Sequence, residues 1–110
     1  MKYTIRNEGG GYSVLVLDGD IDLSCSPMAR EHILTCLDEG NHLLIDMSGV
    51  TYIDSSGVAS LVEGYQTAKK KALKFGLVSV STAVMNVLQL ARLDEVFPIH
   101  GSVAEGMSGV

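Results

Sequence analysis

The chain has 110 residues, which is enough for one typical domain, and we expect a single domain spanning residues 1–110. Its composition, 46% hydrophobic and 19% charged, fits a compact fold with a real core and argues against disorder. A net charge of -5 would repel phosphate backbones, and MKYTIRNEGG at the N-terminus contains no apolar targeting region. The apolar stretches are also too short to span a membrane. We therefore expect a cytoplasmic protein that neither binds nucleic acid nor inserts into a membrane.

Period-two alternation at the N-terminus predicts a β-hairpin. Polar and apolar residues alternate over residues 3–5 and again over residues 12–17, and a glycine-rich turn at residues 8–11 lies between them. The hairpin would add an antiparallel pair of strands to whatever sheet the rest of the chain forms.

A helix start follows the hairpin. Ser26 can act as a hydroxyl cap and Pro27 suits the first turn, so the pattern predicts a helix over residues 27–39. Cys25 and Cys36 would lie about 16 Å apart along this helix, which is too far for a disulfide, and we expect free thiols. The three histidines are scattered without ligand spacing, and no metal or other cofactor is expected.

Strand and helix patterns alternate along the rest of the chain, which predicts an α/β fold. The expected architecture is a small mixed sheet, an N-terminal antiparallel hairpin plus parallel strands, covered by helices. In chain order we predict a buried strand at residues 42–47, a helix from Asp54 to Ala72, a strand at residues 74–80, a helix capped by Ser81 or Thr82, an edge strand at residues 95–99, and at best a short helix within residues 102–110.

The DSSG stretch at residues 54–57 lies where a buried strand gives way to a helix. In open α/β sheets, functional groups collect beyond the carboxyl ends of strands, at helix N-termini. Asp54 can be the N-cap, Ser55 and Ser56 would lie in the first turn, and Gly57 would let a neighbouring backbone approach closely. One interpretation is that these four residues only cap the helix.

Other site chemistries need residues that the chain lacks. A serine-hydrolase elbow requires G-x-S-x-G and a phosphate-binding P-loop requires GxxxxGK[ST]; neither is present. A calcium loop beginning at Asp18 would need glycine and glutamate where Leu23 and Ala29 stand. A phospho-aspartate receiver using Asp54 would need a lysine on the last strand, which has none. The remaining interpretation is that one serine accepts a phosphoryl group from a separate kinase, and that the added charge acts on a docked partner.

Three segments resemble one known family, the anti-sigma factor antagonists with a STAS domain. Residues 15–22 resemble its "L-x-G-x-[IL]-D" element, and residues 44–57 resemble its "[IV]-[DN]-[LM]-x-x-[VL]-x-[FY]-[IM]-D-S-S-G" element. Residues 83–97 resemble a capped helix followed by "G-L-x-x-x-F", with Arg92 in place of the usual glycine. The resemblance implies a STAS-type fold over nearly the whole chain.

The resemblance also implies the roles of the site residues. Ser55 matches the phosphorylated serine, and Asp22 matches an acidic residue beside it that helps the kinase recognise its substrate. An aspartate such as Asp22 could equally cap the first helix or a turn. Asp54, Ser56 and Gly57 would complete the surface for the partner and the kinase, with Ser56 supporting the helix start.

The implied activity is partner switching by a protein that is not an enzyme. The unphosphorylated chain would bind an anti-sigma factor that is also an ATP-dependent serine kinase, which releases the sigma factor for transcription. Phosphorylation would break the complex, and a PP2C-type phosphatase would reset it. An alternative is a non-phosphorylated STAS subunit of an ABC-type lipid transporter or of a stress-signalling scaffold.

Overall fold

A five-stranded mixed sheet forms the centre of the computed structural model, which describes residues 1–108. The strands follow one another across the sheet in chain order; the first two are antiparallel and all later neighbours are parallel. The predicted mixed sheet with an N-terminal hairpin is therefore confirmed. The elements are β1 (Lys2–Glu8), β2 (Tyr12–Ile21), α1 (Ser26–Asp38), β3 (His42–Ile53), α2 (Ser55–Lys70), β4 (Phe75–Val78), α3 (Thr82–Leu90), a 3₁₀ turn (Leu93–Glu95), β5 (Ile99–His100) and α4 (Val103–Met107).

Side-chain alternation gives the sheet two buried faces. Leu15 and Ile45 lie on the face that is covered by α1, α2 and α3. Val14 and Leu44 lie on the opposite face and pack against Met107 of α4. Because successive strand residues point to opposite sides, neighbours such as Val14 and Leu15 are both fully buried. This two-sided burial explains the unbroken apolar runs at residues 14–17 of β2 and 43–45 of β3.

Helix α1 begins at Ser26 and ends at Asp38, each one residue earlier than predicted, and the predicted hydroxyl cap is wrong. The N-cap residue is Cys25, and no side chain makes a capping hydrogen bond. The backbone carbonyl of Asp22 instead accepts the amide N–H groups of Cys25 and Ser26, at 3.1 and 2.8 Å. Ser26 is buried, and its backbone carbonyl accepts the hydroxyl of Ser60 on α2 at 3.3 Å. A backbone turn therefore takes the place of a side-chain cap.

Strand β3 continues to Ile53, well beyond the predicted end at residue 47. Polar residues and Gly49 in this stretch are typical of a turn, but pairing with β2 carries the strand through them. Two register shifts in that pairing fit a bulge, and a Cβ on Gly49 would lie 2.6 Å from the Asp18 carboxylate. The pairing continues until Ile21 and Ile53 stand opposite each other. The two strands thus end side by side.

Two elements, α2 and β4, end earlier than predicted. A residue in the left-handed conformation follows the end of each. Helix α2 stops at Lys70, and Ala72 has a φ of 57°. Strand β4 stops before Ser79, which has a φ of 52°. Of the two predicted caps for α3, Ser81 takes the role: its Oγ accepts the amide of Val84 at 3.4 Å. The strand-helix-strand order predicted from the sequence is unchanged.

The last strand differs most from its prediction over residues 95–99. A 3₁₀ turn stands at the start of this stretch, and β5 pairs with β4 through only two residue pairs. The N–H of Leu77 donates to the carbonyl of Pro98 at 2.9 Å, so by alternation the peptide groups of Phe75 also face this side. The next ladder bond would need an N–H at Pro98, which proline lacks. The strand therefore cannot extend further back.

Candidate functional site

The site predicted from the sequence lies where β2 and β3 end beside each other. The carbonyl of Ile21 accepts the amide N–H of Asp54 at 3.1 Å, which joins the residue after β3 to the last residue of β2. Asp22 follows Ile21 directly, and Ser55 follows Asp54 as the first residue of α2. The structure therefore brings together two loops that are far apart in the sequence, and with them all five predicted site residues.

Asp54 is the N-cap of α2, and this prediction is confirmed. Its Oδ1 accepts the amide N–H groups of Ser56 and Gly57, at 2.9 and 3.1 Å, while its backbone is extended. Both amides are among the first N–H groups of the helix, which have no partner within the helix itself. The cap therefore fixes where α2 begins and which serine becomes its first residue.

The two serines of this turn have different environments. The hydroxyl of Ser56 donates to Oδ1 of Asp54 at 2.5 Å, and the residue is half-buried. Ser55 is exposed, and within residues 1–108 no hydrogen bond involves its hydroxyl. One hydroxyl is thus used in holding the helix start, and the other points to a surface that a second protein can reach.

Gly57 provides close approach of side chains and not of a backbone, which corrects the prediction. A Cβ at this position would lie 2.7 Å from Cγ1 of Ile53 and 2.8 Å from Cγ2 of Ile21. These two isoleucines are the paired last residues of β3 and β2. The glycine therefore lets the first turn of α2 settle directly onto the strand ends.

Asp22 forms the same kind of turn as Asp54. Its Oδ1 accepts both the amide N–H and the hydroxyl of Ser24, at 3.0 and 2.5 Å. The arrangement repeats the Asp54 to Ser56 contact: a carboxylate binds the serine two residues later. The turn-forming role considered for Asp22 is therefore present, and the second carboxylate oxygen of Asp22 makes no hydrogen bond inside the described chain.

Hydrogen bonds hold the pKa of both carboxyls below their ordinary values. The largest cause is the Ser56 hydroxyl for the pKa of Asp54 and the Ser24 hydroxyl for that of Asp22; a backbone N–H follows in each case. The negative charge of Asp54 opposes part of the lowering of the Asp22 pKa. The two carboxylates are therefore close enough to interact, and the site carries two negative charges at neutral pH.

Two exposed apolar residues border the site and were not singled out from the sequence. Leu23 follows Asp22 and is 74% exposed; Tyr52 lies near the end of β3 and is 52% exposed. Their exposure depends on how the elements pack and becomes visible only in the fold. Leu23 is thus an exposed apolar side chain next to Asp22, in the loop that adjoins Ser55.

Other kinds of site find no support in the described residues. Over residues 1–108, no group of three or more histidine, cysteine, aspartate or glutamate side chains could hold a metal ion. Both cysteines are free, as predicted. No helix in the described part of the chain has the length and apolarity needed to cross a bilayer.

The chain belongs to the STAS domain family, whose model matches residues 3–106. It is 25% identical over 89 residues to the anti-sigma-B factor antagonist of Bacillus subtilis (strain 168), a match that covers 81% of this chain and 82% of that protein. The crystal structure of an anti-sigma factor antagonist from Mycobacterium paratuberculosis superposes with a TM-score of 0.88 at 25% identity, covering 99% of this chain and 92% of the other. The predicted fold is thereby confirmed, and the chain resembles anti-sigma factor antagonists.

A second kind of relative contains this domain within a much longer chain. High affinity sulfate transporter 2 of Stylosanthes hamata is 32% identical over 106 residues, which cover 86% of this chain but only 16% of the transporter. This chain is therefore similar both to a protein of about its own size and to a small part of a much longer sulfate transporter.

Proposed function

We propose that the chain is an anti-sigma factor antagonist that is switched by phosphorylation of Ser55. In its unphosphorylated form it binds an anti-sigma factor that is also a serine kinase, and the sigma factor is released. Phosphorylation of Ser55 ends this binding, and a PP2C-type phosphatase restores it. On this proposal the chain is a binding module and a kinase substrate, not an enzyme; it needs no cofactor of its own and works in the bacterial cytoplasm with the transcription machinery.

The observation that carries the proposal is the exposed hydroxyl of Ser55 at the first residue of α2, which makes no hydrogen bond within residues 1–108. A kinase needs an acceptor hydroxyl that it can reach, and Ser55 is exposed where Ser56 is tied to Asp54. The resemblance to the anti-sigma-B factor antagonist covers most of both chains and agrees with this assignment. Asp22 lies in the adjoining loop, where its carboxylate can contact a kinase bound over Ser55.

Phosphorylation would change the surface without a change of fold. A phosphoserine carries about -1.5 to -2 charges and would stand at the positive end of the α2 dipole. Asp22 and Asp54 already give this surface two negative charges. Phosphorylation would nearly double the negative charge that faces a docked partner. Each ~1.4 kcal/mol of resulting repulsion or desolvation lowers affinity tenfold, which is enough for a switch.

Phosphosite mapping by mass spectrometry tests the acceptor. The protein is incubated with Mg-ATP and each anti-sigma-type kinase encoded in its genome, beside Ser55→Ala and a matched variant, Thr82→Ala. Thr82 is likewise an exposed first residue of a helix, α3, after a parallel strand. We expect one phosphoryl group, on Ser55, lost only in Ser55→Ala. Modification of another residue, or of none by any kinase, would contradict the proposal.

Binding to the same kinase tests the switch. We expect Ser55→Asp to bind the anti-sigma factor at least about tenfold more weakly than Ser55→Ala, because only the aspartate places a charge in the interface. Thr82→Asp adds the same charge at the start of the neighbouring helix and should bind like the unmodified chain. Equal affinities for the two Ser55 variants would contradict the proposal that phosphorylation of Ser55 switches partner binding.

A second candidate function is that of a STAS domain attached to, or associated with, a membrane transporter. The match to part of a plant sulfate transporter favours it. In that role Ser55 need not be phosphorylated, and no kinase in the experiment above would modify it. Recovery of a transporter, and of no anti-sigma factor, with the tagged chain purified from its own cells would favour this second candidate.

A further inference from the structure

A cavity of about 400 Å³ lies at the end of the molecule opposite Ser55. It opens beside Phe75, the first residue of β4, whereas Ser55 lies two residues beyond the last residue of the parallel strand β3. The C-terminal half of α2 forms one wall through Tyr65, and α2 is about 24 Å long. The cavity is therefore separate from the proposed phosphorylation site and is not used by the proposed switch.

The shortness of β5 creates the cavity. Because Pro98 has no N–H, β5 cannot pair alongside Phe75, and the first half of β4 has no strand beside it. Pro98 and Phe75 both line the opening that results. The imidazole of His100 forms part of the same lining and is fixed in place, since a Cβ on Gly106 or on Gly76 would lie 3.3 or 3.1 Å from its Cδ2.

The walls are mainly apolar, and the charges at the cavity are positive. Leu44 and Leu73 add to the aromatic walls, while Lys69 and Lys74 supply two ammonium groups. The Lys69 ammonium lies 5.6 Å above the ring centre of Tyr65, which holds it against the wall. No acidic residue of the described chain lines the cavity, and none of the three salt bridges within residues 1–108 uses either lysine.

This local charge is opposite to that of the whole protein. The chain has a net charge of -5, with 13 acidic and 8 basic residues, yet two of its lysines and no acidic residue of the described chain line this apolar cavity. Cavities of several hundred Å³ with apolar walls and a few polar groups are typical of small-molecule sites. The polar groups that are present would recognise a single anion at the mouth, and the interior offers few partners for further polar groups of a ligand.

We propose that this cavity binds a small amphiphilic carboxylate. Its hydrocarbon chain lies against Leu44, Tyr65 and Phe75, and its carboxylate lies between the ammonium groups of Lys69 and Lys74. A ligand with a long polar body, such as a nucleotide, would leave its polar groups without partners inside the cavity. The site is independent of Ser55 and of the proposed partner switching.

Titration of the ¹⁵N-labelled protein with decanoate, below the concentration at which it forms micelles, tests the site by NMR and calorimetry. Decanol and decyltrimethylammonium share the chain and differ in the head group. We expect saturable one-to-one binding of decanoate, amide shifts centred on α2 and β4 near Lys69 and Phe75, and weaker binding of both other compounds. Equal binding of decanol, or shifts spread over the whole surface, would overturn the proposal.

A pair of variants measures the contribution of the two lysines. Lys69→Gln with Lys74→Gln should weaken decanoate binding by about three- to tenfold, the effect of two exposed ion pairs, and leave decanol binding unchanged. The matched control is Lys70→Gln with Lys2→Gln: both lysines are exposed, lie outside the cavity lining and carry the same total charge. A similar loss in both pairs would show that only overall charge attracts the ligand, and would contradict the assignment.

Discussion

At the scale of single residues, the site depends on two aspartates that each bind a serine two residues later. Asp54 binds Ser56, and Asp22 binds Ser24, through one carboxylate oxygen in each case. These contacts are local, and the sequence could predict the first of them because N-cap residues and helix starts have short-range signals. The contact leaves Ser55, between Asp54 and Ser56, as the exposed hydroxyl.

The lowered pKa of Asp54 gives the first prediction, a dependence of stability on pH. A carboxyl with a lowered folded-state pKa stabilises the fold above its ordinary pKa, and this stabilisation is lost as the pH falls through the folded-state pKa. Asp54→Asn keeps a capping oxygen but no longer titrates. We expect its melting temperature to fall less than that of the unmodified protein between about pH 5 and about pH 2.

Thermal melts over that pH range check this prediction, with Glu31→Gln as the control. Glu31 is exposed on α1 and accepts no side-chain hydrogen bond within the described chain. Its variant should retain the acid sensitivity of the unmodified protein. Parallel curves for Asp54→Asn and the unmodified protein would contradict a role of this carboxylate in acid stability.

Arg92 gives the second prediction. It has a φ of 58°, in the left-handed region, at the position where the family resemblance expects glycine. Arginine in this conformation costs about 1 kcal/mol that glycine does not. We expect Arg92→Gly to raise the free energy of unfolding by about that amount in urea denaturation. The neighbouring Ala91 has a φ of -91°, so Ala91→Gly should give no gain.

At the scale of elements, α2 lies directly against α1 because small residues face it. The hydroxyl of Ser60 donates to the carbonyls of Ser56 and Ser26, at 3.1 and 3.3 Å, and so joins the two helices. Gly64 follows one turn later and is buried. A Cβ there would lie 2.5 Å from Cγ2 of Ile33 on α1. The spacing between the helices therefore depends on the absence of that side chain.

The third prediction is that Gly64→Ala destabilises the protein, although alanine favours helices by about 1 kcal/mol. The added methyl group would also lie 3.0 Å from Cε2 of Phe75, so α2 would have to move away from both α1 and β4. We expect the free energy of unfolding to fall by about 1 to 3 kcal/mol in urea denaturation. Gly9→Ala is the matched control, since a Cβ on Gly9 meets nothing within 4 Å. A stabilised Gly64→Ala variant would contradict the close contact.

Element order could be predicted from the sequence, but element length could not. The apolar periods identify each strand and helix, since they reflect which face is buried. The predicted end of β3 was wrong because pairing with β2 holds the last residues of the strand. This contact across the sheet has no signal in the local sequence. The predicted extent of β5 was wrong because Pro98 has no N–H to donate to the neighbouring strand β4, which lies earlier in the sequence.

At the scale of the whole molecule, the candidate site is formed by sheet topology. Asp22 and Ser55 are brought together because β2 and β3 are parallel neighbours whose last residues, Ile21 and Ile53, are paired. The sequence could suggest Ser55 from its local motif, and Asp22 through the family resemblance. It could not predict that Leu23 would remain exposed beside them, since exposure depends on how all the elements pack.

The fourth prediction concerns Asp22 under the proposed function. Asp22→Asn keeps an oxygen for the turn with Ser24 but removes a charge from the surface beside Ser55. We expect the kcat/KM for phosphorylation of Ser55 by its kinase to fall about tenfold, with the melting temperature little changed. Asp20→Asn is the control two residues earlier, on β2, because the Asp20 carboxylate already accepts the hydroxyl of Thr51 at 2.6 Å. Equal effects of the two variants would argue against a specific role for Asp22.

The site around the proposed acceptor, Ser55, forms only when two loops that are distant in the sequence meet in the fold. A peptide covering only Ser55 and its flanking residues would lack the Asp22 loop, and a parallel strand pair forms late because its loop must first be closed. A chain still being synthesised exposes the loop of Asp22 before β3 and α2 have been made. Under the proposed function the kinase would therefore phosphorylate folded molecules faster than nascent or misfolded ones, so the phosphorylated fraction would consist mainly of folded protein.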